Sequence, residues 1–262
     1  SIVYLAGDRL IDPDRYRTEY NWDYDPIRMD LVDNENGLRV TLDYSGMTDL
    51  SSLGKLTGLV HLEMDMTGIT SLAGIENMQD LEVIHIRCAP NLTDVSALWG
   101  LKNLRWIELN QTGVTSIDGI QNLKMLQSIQ LYGQGLKDIS PLKECNFEFA
   151  YQGMGLGHFF LSIDEEADLA PLENLKRFSD LDLEGDMCAR MLPYLRNAEV
   201  SNLTIRNTDA EISLADLPKV TGFLSLHNLP GLKDLTGLSG TAPKNGVQLD
   251  NLQNLTGLNG TR

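Results

Sequence analysis

Apolar residues along this chain fall on a repeating ladder. The pattern Leu59-x-x-Leu62-x-Met64-x-x-Thr67-x-Ile69-x-x-Leu72-x-x-Ile75-x-x-Met78 recurs 22 positions on as Leu81, Ile84 and Ile86 and, after one inserted residue, as Leu92, Val95, Leu98 and Leu101. Further copies run through Leu104, Ile107, Leu109 and through Leu126, Ile129, Leu131, and a step back of 22 reaches Val40 and Leu42. Side chains on a strand point to opposite faces in turn, so each apolar-x-apolar core predicts a short strand with one buried face. Strands are predicted on Val40/Leu42, Leu62/Met64, Ile84/Ile86, Ile107/Leu109, Ile129/Leu131, Phe147/Phe149, Leu181/Leu183, Leu203/Ile205, Leu224/Leu226 and Val247/Leu249, with an extra one at Leu161/Ile163. The three-residue apolar spacing behind each strand predicts the inner side of a short helix or 3-10 turn.

One such strand cannot bury its face alone, so similar units must stack and share a core. The gaps between strands are too short for the long helices of a doubly wound sheet. The apolar period switches between 2 and 3, which excludes a coiled coil. The predicted fold class is therefore an α/β repeat solenoid. Gly58, Gly74, Gly100, Gly119, Gly237 and Gly257 fit its tight corners.

The register stumbles once, because Phe147 and Phe149 follow Ile129 and Leu131 by only 18 residues. The glycine run Gly153-Met154-Gly155-Leu156-Gly157, with His158-Phe159-Phe160 behind it, reads as an irregular connection. An irregular break is expected at about 145–175, interrupting the solenoid (37–262) without dividing it, since Leu169, Leu172, Leu175 and Phe178 restore the spacing. Residues 1–36 carry no repeat: Tyr16, Tyr20, Trp22 and Tyr24 stand among Asp12, Asp14, Asp23 and Asp25, and are read as an N-terminal cap. At the other end Leu252, Leu255 and Leu258 stop in mid-pattern, so the last strand is expected to need cover.

On these repeats the chain resembles the leucine-rich-repeat family, in particular the 22-residue type of bacterial internalins and of the eukaryotic phosphatase-regulator group. The resemblance covers about residues 37–258 and is specific over 62–142. It implies a right-handed superhelix with a parallel concave sheet and short helical or 3-10 convex segments. Where the family usually places Asn to hydrogen-bond the turn, this chain has Thr67, Thr112, Gln134 and Thr208, which are expected to bond the turn in its place.

Composition narrows function more than fold. With 21 basic and 37 acidic side chains the formal net charge is -16, which makes the chain a poor ligand for nucleic acid and favours a basic partner. No apolar run approaches the roughly 18 residues of a membrane span, so no direct membrane insertion is expected. Cys88, Cys145 and Cys188 fit neither a disulfide framework nor a metal knuckle. The motifs HExxH, GxSxG, GxxxxGK[ST], paired CxxC and the EF-hand loop are all missing, and the chain is expected not to be an enzyme.

In this architecture the residues flanking the strand apolars line the concave face. Between the two apolars stand Glu63, His85, Glu108 and Gln130; after the second come Asp65, Arg87, Asn110 and Tyr132; before the first come His61, Val83, Trp106 and Ser128. Aromatic and Arg side chains are the types most enriched in binding hot spots. The candidate binding site is therefore Glu63, Asp65, His85, Arg87, Trp106, Glu108, Asn110, Gln130 and Tyr132, with Trp106 as anchor. Glu63, His85 and Glu108 would stand in a row on three neighbouring strands. An open sheet lacks the closed geometry and supporting shell of a metal site, so no metal and no cofactor is expected. The leading reading is a non-enzymatic scaffold that binds a protein on its concave face. The resemblance implies a secreted or bacterial cell-surface module of the internalin kind. The alternative is a cytoplasmic regulatory adaptor resembling the phosphatase-regulator group.

Overall fold

The computed structural model describes residues 4–6, 9–11, 28–34, 37–43, 46–56, 58–145, 156–241 and 243–257. The aromatic and acidic residues from Asp12 to Asp25, and Phe147, Phe149, Gly153 and Gly155, lie outside the described residues. The chain forms two compact units, residues 1–125 with 130–136 and residues 126–129 with 137–262. The boundary between them precedes the break expected at about 145–175.

In the first unit β1 (Tyr4–Ala6) and β2 (Arg9–Ile11) pair antiparallel, and β3 (Arg28–Asn34) pairs antiparallel with β4 (Gly37–Asp43). From β4 onward the pairing is parallel, through β5 (Leu59–Asp65), β6 (Val83–Arg87) and β7 (Trp106–Thr112). Next in order stands β8 (Ser128–Leu136), of which Gln130 to Leu136 belong to this unit. Val40, Leu62, Ile84 and Ile107 are partners across successive strands, as are Leu42, Met64, Ile86 and Leu109. None of these eight is more than 1% exposed, so the alternation read from sequence is the alternation of the core.

Behind the sheet, 3-10 turns at Leu53–Lys55, Ile75–Asn77, Ser96–Gly100 and Ile120–Asn122 bury the three-residue apolar spacing. Gly74 leads the second of them at φ 102, where a Cβ would lie 2.5 to 2.6 Å from the Leu50 and Ser51 backbone. Only glycine fits that approach. Gly100, by contrast, ends a 3-10 turn without a left-handed φ, so the corner role expected of it is not needed.

Two further columns recur along the described residues. At the sheet's exit, two residues past the second strand apolar, Met66, Cys88, Gln111, Asn207, Asn228 and Asn251 take left-handed φ between 49 and 56. On the way to the 3-10 turn, Asp49, Asp94, Asp138 and Asp234 accept the backbone N–H two residues on at 2.8 to 2.9 Å. Ser71 and Ser116 do the same with their hydroxyls. These acceptors satisfy backbone donors that no strand reaches. The Thr expected to bond the turn divides by position: Thr208 donates to Asp186 at 2.9 Å, whereas the buried Thr67 hydroxyl has no partner.

In the second unit β9 (Leu156–Ile163), β10 (Arg177–Glu184), β11 (Glu199–Arg206), β12 (Lys219–His227) and β13 (Gly246–Asp250) run parallel in chain order. The extra strand forms, but two residues out of the expected register. Phe159 pairs with Leu181 and is 2% exposed, so Phe159 and Leu161 are its core pair, and His158 to Phe160 are strand. Behind it Ser128 donates to the His158 carbonyl across 30 residues. Helix α1 (Met187–Leu195) is longer than the short turn expected and buries Cys188, Met191, Leu192 and Leu195. On β13, Val247 and Leu249 are 39% and 37% exposed although they occupy core columns.

Candidate binding face

Parallel pairing arranges the polar faces of β5, β6 and β7 as a grid three residues deep. One row is His61, Val83 and Trp106; the middle row is Glu63, His85 and Glu108; the third is Asp65, Arg87 and Asn110. All nine positions face away from the core because each flanks a buried apolar residue. The sequence-derived residues on these three strands are thus neighbours in one patch. Gln130 and Tyr132 lie two apart on β8, where the Tyr132 hydroxyl donates to Gln130 Oε1 at 3.3 Å.

Arg87 organises the patch. Its guanidinium donates to both carboxylate oxygens of Glu108, at 2.8 and 3.1 Å, and to Glu63 Oε1 at 2.9 Å. A planar fork of this kind matches a carboxylate with two parallel bonds. The Arg87 bond holds the Glu108 carboxyl below the usual carboxylate range. In turn the bond to Glu108 pushes the Arg87 guanidinium further toward its charged form. The two acids and one base leave the cluster with one excess negative charge.

A second motif crosses the grid diagonally. The rings of His61 and His85 meet edge to face with centroids 5.3 Å apart, and His85 meets Trp106 in the same way at 5.9 Å. Burial, then the Arg39 and His85 charges, push the His61 imidazole down to about 4. Burial also lowers His85, against the upward pull of Glu108 and Glu63. Both rings are therefore neutral near pH 7. Arg39 lies 3.5 Å from His61 Nε2. The Nε2 of His85 and the Oδ1 of Asp65 are buried without a hydrogen-bond partner. Trp106 is 36% exposed, with the indole on the solvent side as the alternation required.

A different cluster lies outside this patch. A cavity of about 200 Å³ in the second unit is lined by Phe160, Ile163, Met187, Met191, Asp182 and Glu184 among others. Burial pushes the Asp182 carboxyl up, while Arg206 at 2.9 Å pulls it back.

Comparison with solved structures follows the same geometry. An internalin (inlF) from Listeria monocytogenes superposes with a TM-score of 0.56 at 21% identity, over 83% of this chain. The chain has a leucine-rich-repeat fold. It spans 65% of that internalin's length. Internalin C2 of the same organism gives a TM-score of 0.45 at 25% identity, over 64% of this chain and 73% of its own. The leucine-rich-repeat ectodomain of the Arabidopsis thaliana receptor kinase GASSHO1/SCHENGEN3 gives 0.42 at 16% identity, over 84% of this chain and 30% of its own. No family profile and no curated protein matches the chain. Among the described residues of this leucine-rich-repeat chain, no helix is long and apolar enough to cross a membrane.

Proposed function

We propose that this chain is a non-enzymatic recognition scaffold that binds a protein partner through the polar face of β5 to β8, as an internalin-like bacterial surface or secreted module. The observation that carries the reading is Trp106, more than a third exposed on a rigid sheet whose opposite face is fully buried, beside the prearranged Arg87 fork. Rigid aromatic and Arg groups give up little conformational freedom on binding, which is why they anchor interfaces. The net charge of -16 selects a basic partner by steering its approach.

The alternative, a cytoplasmic adaptor, draws on one observation: Cys88, Cys145 and Cys188 all remain thiols. The reading frame upstream of Ser1 separates the two, since a secretory leader there would exclude the adaptor.

The binding test pairs two neighbours on β7. A protein captured from host or self lysates by the wild-type chain should lose about 2 kcal/mol or more of affinity for Trp106→Ala. That variant should change folding stability by only about 0.5 to 1 kcal/mol. Ile107→Ala, cut from the core, should cost about 2 to 5 kcal/mol of stability. If Trp106→Ala destabilises as much as Ile107→Ala and leaves affinity intact, the ring is structural and the site is wrong.

A further inference from the structure

The diagonal of β5 and β6 brings together, inside the proposed binding face, three side chains with metal-donor atoms. His61 and Glu63 are two apart on β5 and so face the same way, and His85 is Glu63's direct partner on β6. One donor atom from each of the three lies within 4.8 Å of the others. We propose that His61, Glu63 and His85 form a binding site for a divalent transition-metal ion of the zinc type.

Donor chemistry selects the metal. Two imidazoles and one carboxylate suit zinc, copper or nickel, whereas calcium and magnesium call for oxygen donors. Zinc binds nitrogen at about 2.0 to 2.1 Å, so tetrahedral donors stand about 3.3 Å apart. The three donor atoms already lie within 4.8 Å of one another, so they need to close by about 1.5 Å at most to reach that spacing.

Each donor is prepared for this use. His85 Nε2 is buried and unpartnered, the state of a polar atom awaiting a ligand. Arg87 holds Glu63 by Oε1, which fixes the carboxylate and leaves Oε2 on the side of His61 Nε2, 3.9 Å away. That is the supporting role that outer residues play for metal-bound carboxylates. Glu63 and Glu108 outweigh Arg87, and the exposed Arg39 can swing away from His61. Three protein donors leave the remaining coordination positions to water or to an incoming group.

The sequence had offered Glu63, His85 and Glu108 as the row to consider. The structure removes Glu108, both of whose oxygens are taken by Arg87, and puts His61 in its place. Of the supporting shell judged missing from an open sheet, Arg87 supplies the hydrogen bond to Glu63, and the Trp106 ring packs edge to face against His85.

The site shares Glu63 and His85 with the proposed binding face, but its test needs no partner. Zinc chloride titrated into the purified chain by calorimetry should bind at one equivalent. Cobalt(II) should give the intense visible absorption of a low-coordinate site, and calcium and magnesium should give no signal. His61→Gln and His85→Gln should each weaken zinc binding tenfold or more with an unchanged circular dichroism spectrum. His227→Gln, which alters a histidine already paired with Asp250 elsewhere in the fold, should leave binding as it was. His61→Gln, a near-isosteric change at a second donor, serves if His85→Gln fails to fold. Absence of zinc binding by the wild-type chain, equal binding by the folded His61→Gln variant, or loss of binding in His227→Gln would each overturn the proposal.

Discussion

Two threonines in matching places of the repeat show how much one hydroxyl can matter. Thr67 and Thr208 both follow the second strand apolar by three residues and are both buried, at 7% and 1% exposure. Thr208 donates to Asp186 and accepts the Ala210 N–H, whereas Thr67 finds no partner. A buried hydroxyl without a hydrogen bond retains its desolvation penalty, and removing it is neutral or favourable. Thr67→Val should therefore hold or raise stability by up to about 1 kcal/mol, while Thr208→Val should lose about 1 to 2 kcal/mol. Chemical denaturation of the two variants checks both signs. Left-handed corners divide in the same manner. Asn207, Asn228 and Asn251 tolerate that conformation, while Met66, Cys88 and Gln111 bear a strain of roughly 1 kcal/mol each.

Within each element, the same apolar pair has a different value depending on whether a neighbour covers it. Leu226 is fully buried on β12, and Leu249, its direct partner on β13, is 37% exposed. Leu226→Ala should cost about 2 to 5 kcal/mol, and Leu249→Ala less than half as much, as thermal melts of the two variants will report. The aspartate turns give the elements a pH dependence. Backbone N–H bonds from Ser96 and Ser140, and then the hydroxyls of those serines, hold Asp94 and Asp138 below the usual carboxylate range. A carboxyl depressed in the folded state stabilises it above the unfolded value of about 3.9, and that contribution is lost as pH falls through the folded value. Urea midpoints should consequently fall more steeply between pH 6 and pH 3 for the wild type than for the Asp94→Asn, Asp138→Asn double variant. These turns were legible in principle: Asp49, Ser71, Asp94, Ser116 and Asp138 are spaced 22, 23, 22 and 22 apart. They escaped notice because apolar spacing dominates the pattern. The strands were legible because alternation and burial are the same physics, and Val40 through Leu131 needed no correction. The register of β9 was not, because Phe159, Leu161 and Ile163 offer two overlapping apolar pairs and only the pairing with Leu181 selects one. On the candidate face, alternation placed each side chain, but the Arg87 fork and the approach of His61 depend on rotamers that spacing leaves open.

At the scale of the whole molecule, charge dominates. Thirty-seven acidic against 21 basic side chains leave a net charge of -16, and self-repulsion of that order weakens the compact state at low ionic strength. Screening shortens its reach from roughly 30 Å at 0.01 M salt to about 8 Å at 0.15 M. The melting temperature should accordingly rise as sodium chloride goes from 10 to 150 mM, and a fall would mean that the Arg87 and Arg206 ion pairs outweigh the repulsion. The Arg87 pairs are half-buried and the Arg206 pairs more open, so salt should loosen the second set first.

The hydrogen bond from Ser128 to the His158 carbonyl closes a step of 30 residues where a regular repeat uses about 22. Closing the longer ring costs about 0.3 kcal/mol more in chain entropy, since the penalty grows only with the logarithm of length. Extra chain at this point is almost without thermodynamic consequence. A reporter peptide or a second binding loop grafted between Glu144 and Leu156, clear of β8 and β9, should therefore add only a few tenths of a kcal/mol in chain entropy for a modest insert, roughly as the same logarithm gives.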